Sequence, residues 1–275
     1  MLSSKKLCII HGNCQGETLT ALLGASPEFM AAYEVEYYVN FTRQAIPAQS
    51  LERCGLLLHQ HLGEEWGELA SASLKAALGP GARTLCIPNM LFKGYWPFWS
   101  SKPGFDYSDV MLDSLLERGL GKDEAMLVAV RGNLDQMFGL EALLKETLVV
   151  ERGKESLCDV HYVDIIEERF RKEKLFMSVN HPGRTLMLHA ADAVLAMLGM
   201  PGLPESYRQA YPEVRYEFEL PIHPQVAGFH GLTFVPEGAT YNIYGHPMTY
   251  VEYIGLYLDC KLAGRSDFIR YLQGR

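Results

Sequence analysis

The segment Leu7-Cys8-Ile9-Ile10-His11-Gly12-Asn13-Cys14-Gln15-Gly16 constrains the fold most. A short apolar run enters a turn flanked by two glycines, and residues 17–23 then place Leu19, Leu22 and Leu23 on one helical face. Strand, tight turn and helix in this order open an α/β layer fold. Such a junction exposes a side chain at the carboxyl end of a strand, where ligands of open sheets bind. A helix N-terminus there favours anions and lowers a thiol pKa, so Cys14 is the candidate nucleophile.

Further apolar runs predict strands at 33–39, 55–59, 84–87 and 175–179. Helical periodicity marks 65–77, 110–119, 135–148, an amphipathic 156–174, a core helix over 185–198 and a closing helix over 248–258 with Pro247 near its first turn. The expected architecture is three-layer α/β: a mostly parallel sheet flanked by helices, with an irregular C-terminal lid and closing helices. Seven of the 14 prolines fall within 201–247, which is read as that lid inside a single domain spanning 1–275. Tyr216 to Leu220 alternates like an edge strand.

Four of the expected strands end in polar residues. These tips are His11-Gly12-Asn13-Cys14-Gln15, His59-Gln60-His61, Pro88-Asn89 and Asn180-His181-Pro182-Gly183-Arg184. In a parallel sheet they would share one edge. A thiol is only a few per cent thiolate at neutral pH, so Cys14 needs a base. His181, before a helix that Pro182 is placed to start, is the first candidate; His11, His59 and His61 are alternatives. The backbone N–H groups of Cys14 and Gln15, with the amide of Asn13 or Asn89, are suited to hold an oxyanion.

The block Phe92-Lys93-Gly94-Tyr95-Trp96-Pro97-Phe98-Trp99 reads either as a ligand-stacking wall with Lys93 for a phosphate or as a hydrophobic plug. Arg184 and Arg43 are further candidates for a phosphate, against a reading as solvated surface charges. The chain carries 25 Lys+Arg against 33 Asp+Glu, a net charge of −8, with no basic stripe, which argues against nucleic acid. The six cysteines form no C-x-x-C pair; Cys8, Cys54, Cys86 and Cys260 sit in apolar runs and read as inert core residues, and no metal site is expected. Residues 1–6 are short and polar, and the apolar stretch 186–203 contains His189, Asp192 and Pro201. The expectation is a cytoplasmic chain with reduced thiols and no membrane insertion.

Gly12-Asn13-Cys14-Gln15 after the first strand, Pro88-Asn89 with the aromatic stretch behind it, and Asn180-His181-Pro182 before a late helix together resemble the bacterial polysaccharide-biosynthesis (capsule) family typified by WcbI. The resemblance covers about residues 5 to 200. It implies coenzyme A or acetyl-CoA binding and an acetyltransferase role on a capsular or surface glycan precursor. The arrangement also resembles the SGNH hydrolases, with Cys in place of their Ser and with Ser178, not Asp, three residues before His181. The expected catalytic set is therefore Cys14, His181, Gln15 and Asn13, with Lys93, Arg184, Tyr95, Trp96, His59, His61, Asn89 and His11 on the coenzyme A side. An esterase or deacetylase on a glycan, or a non-catalytic glycan- or coenzyme A-binding accessory protein, are the alternatives.

Overall fold

The computed structural model describes residues 5–102, 105–212 and 217–275. They form two compact units, one of Met1–Met90, Val150–Glu168 and His181–Val214, the other of Leu91–Val149, Arg169–Asn180 and Arg215–Arg275.

The first unit is built on four parallel strands in the order β2-β1-β3-β4: β1 (Lys6–Gly12), β2 (Tyr33–Val39), β3 (Cys54–Gln60) and β4 (Arg83–Ile87). Helices α1 (Cys14–Leu23), α2 (Pro27–Ala32), α3 (Ala48–Arg53) and α4 (Ser71–Ala76) lie between them in sequence. The apolar alternation of each strand decides the layering. Leu7, Ile9 and Leu57 point to the face where Ile46, Leu51, Leu69 and Leu74 close a core. On the other face Ile10 and Tyr37 meet α1 at Gly16, and α1 packs on the helix Arg184–Met197.

Four expectations change here, each for a local reason. The run 175–179 yields only the short strand Phe176–Ser178, outside the four-stranded sheet. Its neighbouring backbone is taken by other segments of the second unit: Met177 O accepts from Leu220 N and Val179 O from Phe92 N. β2 supplies the fourth parallel strand instead. The helix expected over 156–174 contracts to Val163–Arg169. The Glu155 carboxylate accepts from the N–H groups of Tyr162 and Val163, while Asp159 bonds both backbone groups of Cys86. Residues 158–162 therefore run along the outer edge of β4, a tertiary override of helix periodicity. The helix expected over 65–77 breaks at Gly67 (φ 59°) into Glu64–Leu69 and α4, and 135–148 breaks at Gly139 (φ 65°) into Leu134–Phe138 and Leu140–Glu155.

The second unit packs Phe92, Tyr95, Phe170 and Phe176 ring against ring. The described part of the proline-rich stretch in this unit, from residue 217 on, is more regular than expected. It holds the helix Pro224–His230 and a hairpin of Thr240–Ile243 with His246–Thr249, turning at Tyr244 and Gly245 with φ of 51° and 89°. Positive φ at both turn residues is the geometry that suits the strand twist. Pro247 thus lies in a hairpin strand, and the closing helix runs Tyr250–Leu262 behind a Thr249–Glu252 capping box. Of the expected edge strand, Phe218 bridges Ile243 and Tyr216 lies outside the described residues. A helix the periodicity missed, Lys122–Arg131, packs on the closing helix, with Lys122 Nζ 2.7 Å from Asp259 Oδ1. Among the described residues no helix is long and apolar enough to cross a membrane.

Candidate active site

The helix α1 begins at Cys14 itself, with Asn13 as its N-cap. Asn13 Oδ1 accepts from Gln15 N at 3.0 Å, the usual capping bond. The same side chain does more. Asn13 Oδ1 also accepts from Gln60 Nε2 at 3.0 Å, and Asn13 Nδ2 donates to Asn89 Oδ1 at 3.0 Å.

Gln60 is the hub. Its Oε1 accepts from Asn13 N at 2.8 Å and from Asn40 Nδ2 at 3.1 Å, and its Nε2 donates to Pro88 O at 3.0 Å. Asn40 directly follows β2, Asn13 follows β1, Gln60 ends β3 and Pro88 follows β4. One buried amide therefore ties together the carboxyl ends of all four strands. Gln15 adds a second tie: Nε2 donates to Met90 O at 2.8 Å and Oε1 accepts from Met90 N at 3.0 Å. Tyr37 closes the frame from β2, its hydroxyl donating to Asn13 O at 2.6 Å.

Within this frame Cys14 is partly exposed. Burial pushes its thiol above the ordinary value of 9.0; the backbone N–H groups of Gln15 and Cys14 face the sulfur and offset part of the rise, and the Glu17 carboxylate adds to it. The helix N-terminus thus does not win over desolvation, and the resting thiol is protonated at neutral pH. His181, in the same unit, stands two residues before the N-cap Gly183 of the helix that packs on α1. Burial lowers its imidazole below 6.5, which keeps it neutral at pH 7.

The other sequence candidates fall in distinct places. Asn89 is exposed and His61 lies exposed beyond the end of β3. His11 and His59 face each other across β1 and β3, 0% and 1% exposed, on the sheet face opposite Gln60. His59 Nδ1 meets the Ser71 hydroxyl at 3.2 Å, while His59 Nε2 and both ring nitrogens of His11 have no hydrogen-bond partner among the described residues. Arg184 is half-buried and donates to Arg208 O. In the second unit, Lys93 is half-buried. Tyr95 donates to Phe170 O and Glu173 O, and Trp96 Nε1 to Leu220 O and Pro221 O, so both rings are core anchors with their polar atoms committed. Gln60, Asn40 and Tyr37 were absent from the sequence candidates. Strand alternation offered one signal: it puts Gln60 on the Leu58 and Ile10 face, toward α1.

Gly16 shows how tightly the turn is built. A Cβ there would stand 2.9 Å from Tyr37 Cε2. Gly16→Ala should push the ring off Asn13 O and cost about 1–3 kcal/mol in urea unfolding. Tyr37→Phe should cost about 1 kcal/mol, the worth of one hydrogen bond. Wild-type stability in Gly16→Ala would mean that the ring gives way freely.

A parallel α/β sheet with a thiol in the first turn of the helix after its first strand, held by amides from every strand end, defines a thiol-centred α/β site. Residues 7–203 match the polysaccharide biosynthesis enzyme WcbI family, and the chain belongs to it. No curated protein matches the chain. It is similar in fold to a solved structure of WcbI, described as a polysaccharide biosynthesis enzyme in its native form without a disulfide bond between coenzyme A and its Cys14. The TM-score is 0.76 at 16% identity, over 98% of each chain.

Proposed function

We propose that this polysaccharide biosynthesis enzyme is an acyl-CoA-dependent O-acetyltransferase, acting on a sugar hydroxyl of a capsular or surface glycan precursor. The observation that carries the reading is Cys14 in the first turn of α1, capped by Asn13 and framed by Gln60 and Asn89. The coenzyme A named with the related WcbI structure supplies the donor class.

Two routes use the same groups. In the covalent route His181 takes the thiol proton and the Cys14 sulfur attacks the acetyl carbonyl. Coenzyme A leaves as a thiol, taking the proton from His181; the sugar hydroxyl then attacks the thioester as its proton passes to His181, which returns it to the departing Cys14 sulfur. In the direct route His181 takes the proton of the sugar hydroxyl, which attacks acetyl-CoA, and the N–H groups around Cys14 hold the oxyanion. A protonated resting thiol makes the base essential in the first route. Arg184, in the same unit as Cys14, is proposed for a phosphate of coenzyme A.

Calorimetric titration with coenzyme A and acetyl-CoA tests the donor: saturable binding is expected, and none at millimolar concentration would leave a glycan esterase as the better reading. Intact-mass analysis after mixing with acetyl-CoA separates the routes. An acetyl adduct present in wild type and lost in Cys14→Ala marks the covalent one. Since His181 acts as a neutral base, kcat/KM should fall on the acid side of a pKa below 6.5. His181→Gln should remove that limb and cost on the order of 10²–10⁴-fold. An unchanged pH profile in the variant would exclude His181 as the base.

A further inference from the structure

Cys86 reads from the sequence as an inert core thiol, yet it meets a second sulfur. Cys86 Sγ lies 3.8 Å from Cys158 Sγ, across 72 residues of sequence. Three bonds hold the two residues in register. Cys86 N donates to Asp159 Oδ2 at 2.6 Å, Asp159 N donates to Cys86 O at 2.9 Å, and Cys158 N donates to Glu155 O at 2.9 Å. The backbone on both sides of the sulfur pair is thus fixed. Closing the sulfurs to about 2.05 Å requires side-chain rotation of less than 2 Å.

The two thiols differ in access. Cys86 is 5% exposed, whereas Cys158 is partly open to solvent. Their chemistry is shared. The contact lowers the Cys86 thiol below its ordinary value and pushes the Cys158 thiol up, because the Cys158 S–H donates to a Cys86 thiolate. Burial and the Asp159 carboxylate oppose ionisation of both; Lys75 favours the ionised Cys86 sulfur, and Lys154 offsets only part of the rise at Cys158.

We propose that Cys86 and Cys158 are a dithiol–disulfide pair, a modification site that reacts with low-molecular-weight disulfides. The accessible Cys158 sulfur attacks one sulfur of the small disulfide as its proton passes to the Cys86 thiolate, forming a mixed disulfide and expelling the first small thiolate. Cys86 gives that proton up to the expelled thiolate and then attacks Cys158 Sγ, expelling the second. The two protein S–H protons end on the two small thiols, one protein S–S bond forms, and the small disulfide is reduced by the same two electrons. The pair is independent of the acyl-transfer reading and involves neither Cys14 nor bound coenzyme A.

The test uses the native full-length chain, fully reduced, incubated with oxidised glutathione, alkylated and mapped by peptide mass spectrometry. The expected product joins the Cys86 and Cys158 peptides, lighter by two hydrogens and carrying no glutathione, and dithiothreitol restores both thiols. Cys86→Ser should retain one glutathione on Cys158, because nothing resolves it. Because Cys86 is buried and its serine variant can disturb the strand tip, Cys158→Ser provides a second arm, in which Cys86 should stay an alkylatable free thiol. Wild-type protein in which both cysteines alkylate, or in which glutathione stays on Cys158, would overturn the proposal. Glutathione on Cys86 in Cys158→Ser would overturn the order of attack.

Discussion

Gln60→Ala should destabilise the protein by about 3–5 kcal/mol and loosen the turn that presents Cys14. The mutation removes four hydrogen bonds at once and strips partners from Asn13 N, Asn13 Oδ1, Asn40 Nδ2 and Pro88 O. A buried group left without its partner costs about 1–3 kcal/mol, and water entering the vacated space recovers part of it. The loss reaches four strand ends, so the four bonds act as one network rather than as independent contacts. Gln60→Glu discriminates packing from hydrogen bonding. It keeps the acceptor for Asn13 N and Asn40, but as a carboxylate it cannot donate to Asn13 Oδ1 or Pro88 O. It should be destabilised at pH 7 and recover part of the loss on acidification, when a protonated carboxyl regains one donor. Urea unfolding of both variants is the measurement. A Gln60→Ala protein within about 1 kcal/mol of wild type would show that the amide hub is dispensable.

The second large effect concerns acid stability. His11 and His59 are held at about 4, against an ordinary value of 6.5, chiefly by burial. His11 also faces the charge of His59, and His59 feels Lys75 and His61, opposed by the backbone of Gln60 and by Asp159. Both imidazoles are neutral in the fold and protonate readily when unfolded. Their contribution is therefore complete above pH 6.5 and is lost as pH falls from 6.5 toward 4. A depression of about 2.5 units corresponds to about 3 kcal/mol per histidine at the acid end. Carboxylates elsewhere titrate in the same window, so the comparison must be with a variant. His11→Leu, of similar volume, should flatten the fall by about 3 kcal/mol between pH 7 and 4.5. It should also raise stability at pH 7 by about 1–2 kcal/mol, because both ring nitrogens of His11 lack hydrogen-bond partners among the described residues. Parallel pH curves for wild type and variant would rule out the buried pair as the acid trigger.

The strands of the sheet were largely legible because each is a short apolar run bounded by polar residues, and 33–39 coincides with β2. The turn at Cys14 was legible for the same reason, since strand, N-cap and helix are contiguous. Long-range bonds were not. The helix written into 156–174 gives way because Glu155 and Asp159 bond backbone groups that periodicity never sees. The expectation that residues 175–179 would join the sheet missed that their carbonyls serve Leu220 and Phe92 instead. Gln60 was named in its tripeptide, between two histidines that drew attention as titratable groups. Its partners come from Asn13, Asn40 and Pro88, up to 47 positions away, and no local spacing joins them. Alternation alone separates it from His59, whose face is the core of Leu57 and Leu74.

The frame around Cys14 is made of amides, backbone and one phenol. Asn13, Gln15, Asn40, Gln60 and Asn89 carry no ionisable proton, and burial, with the nearby Glu17 and Cys14, pushes the Tyr37 hydroxyl up to about 12. The scaffold is electrically silent from the acid limit of the fold to strongly alkaline solution. Its shape does not drift with protonation, so a pH titration of activity reads groups outside the frame.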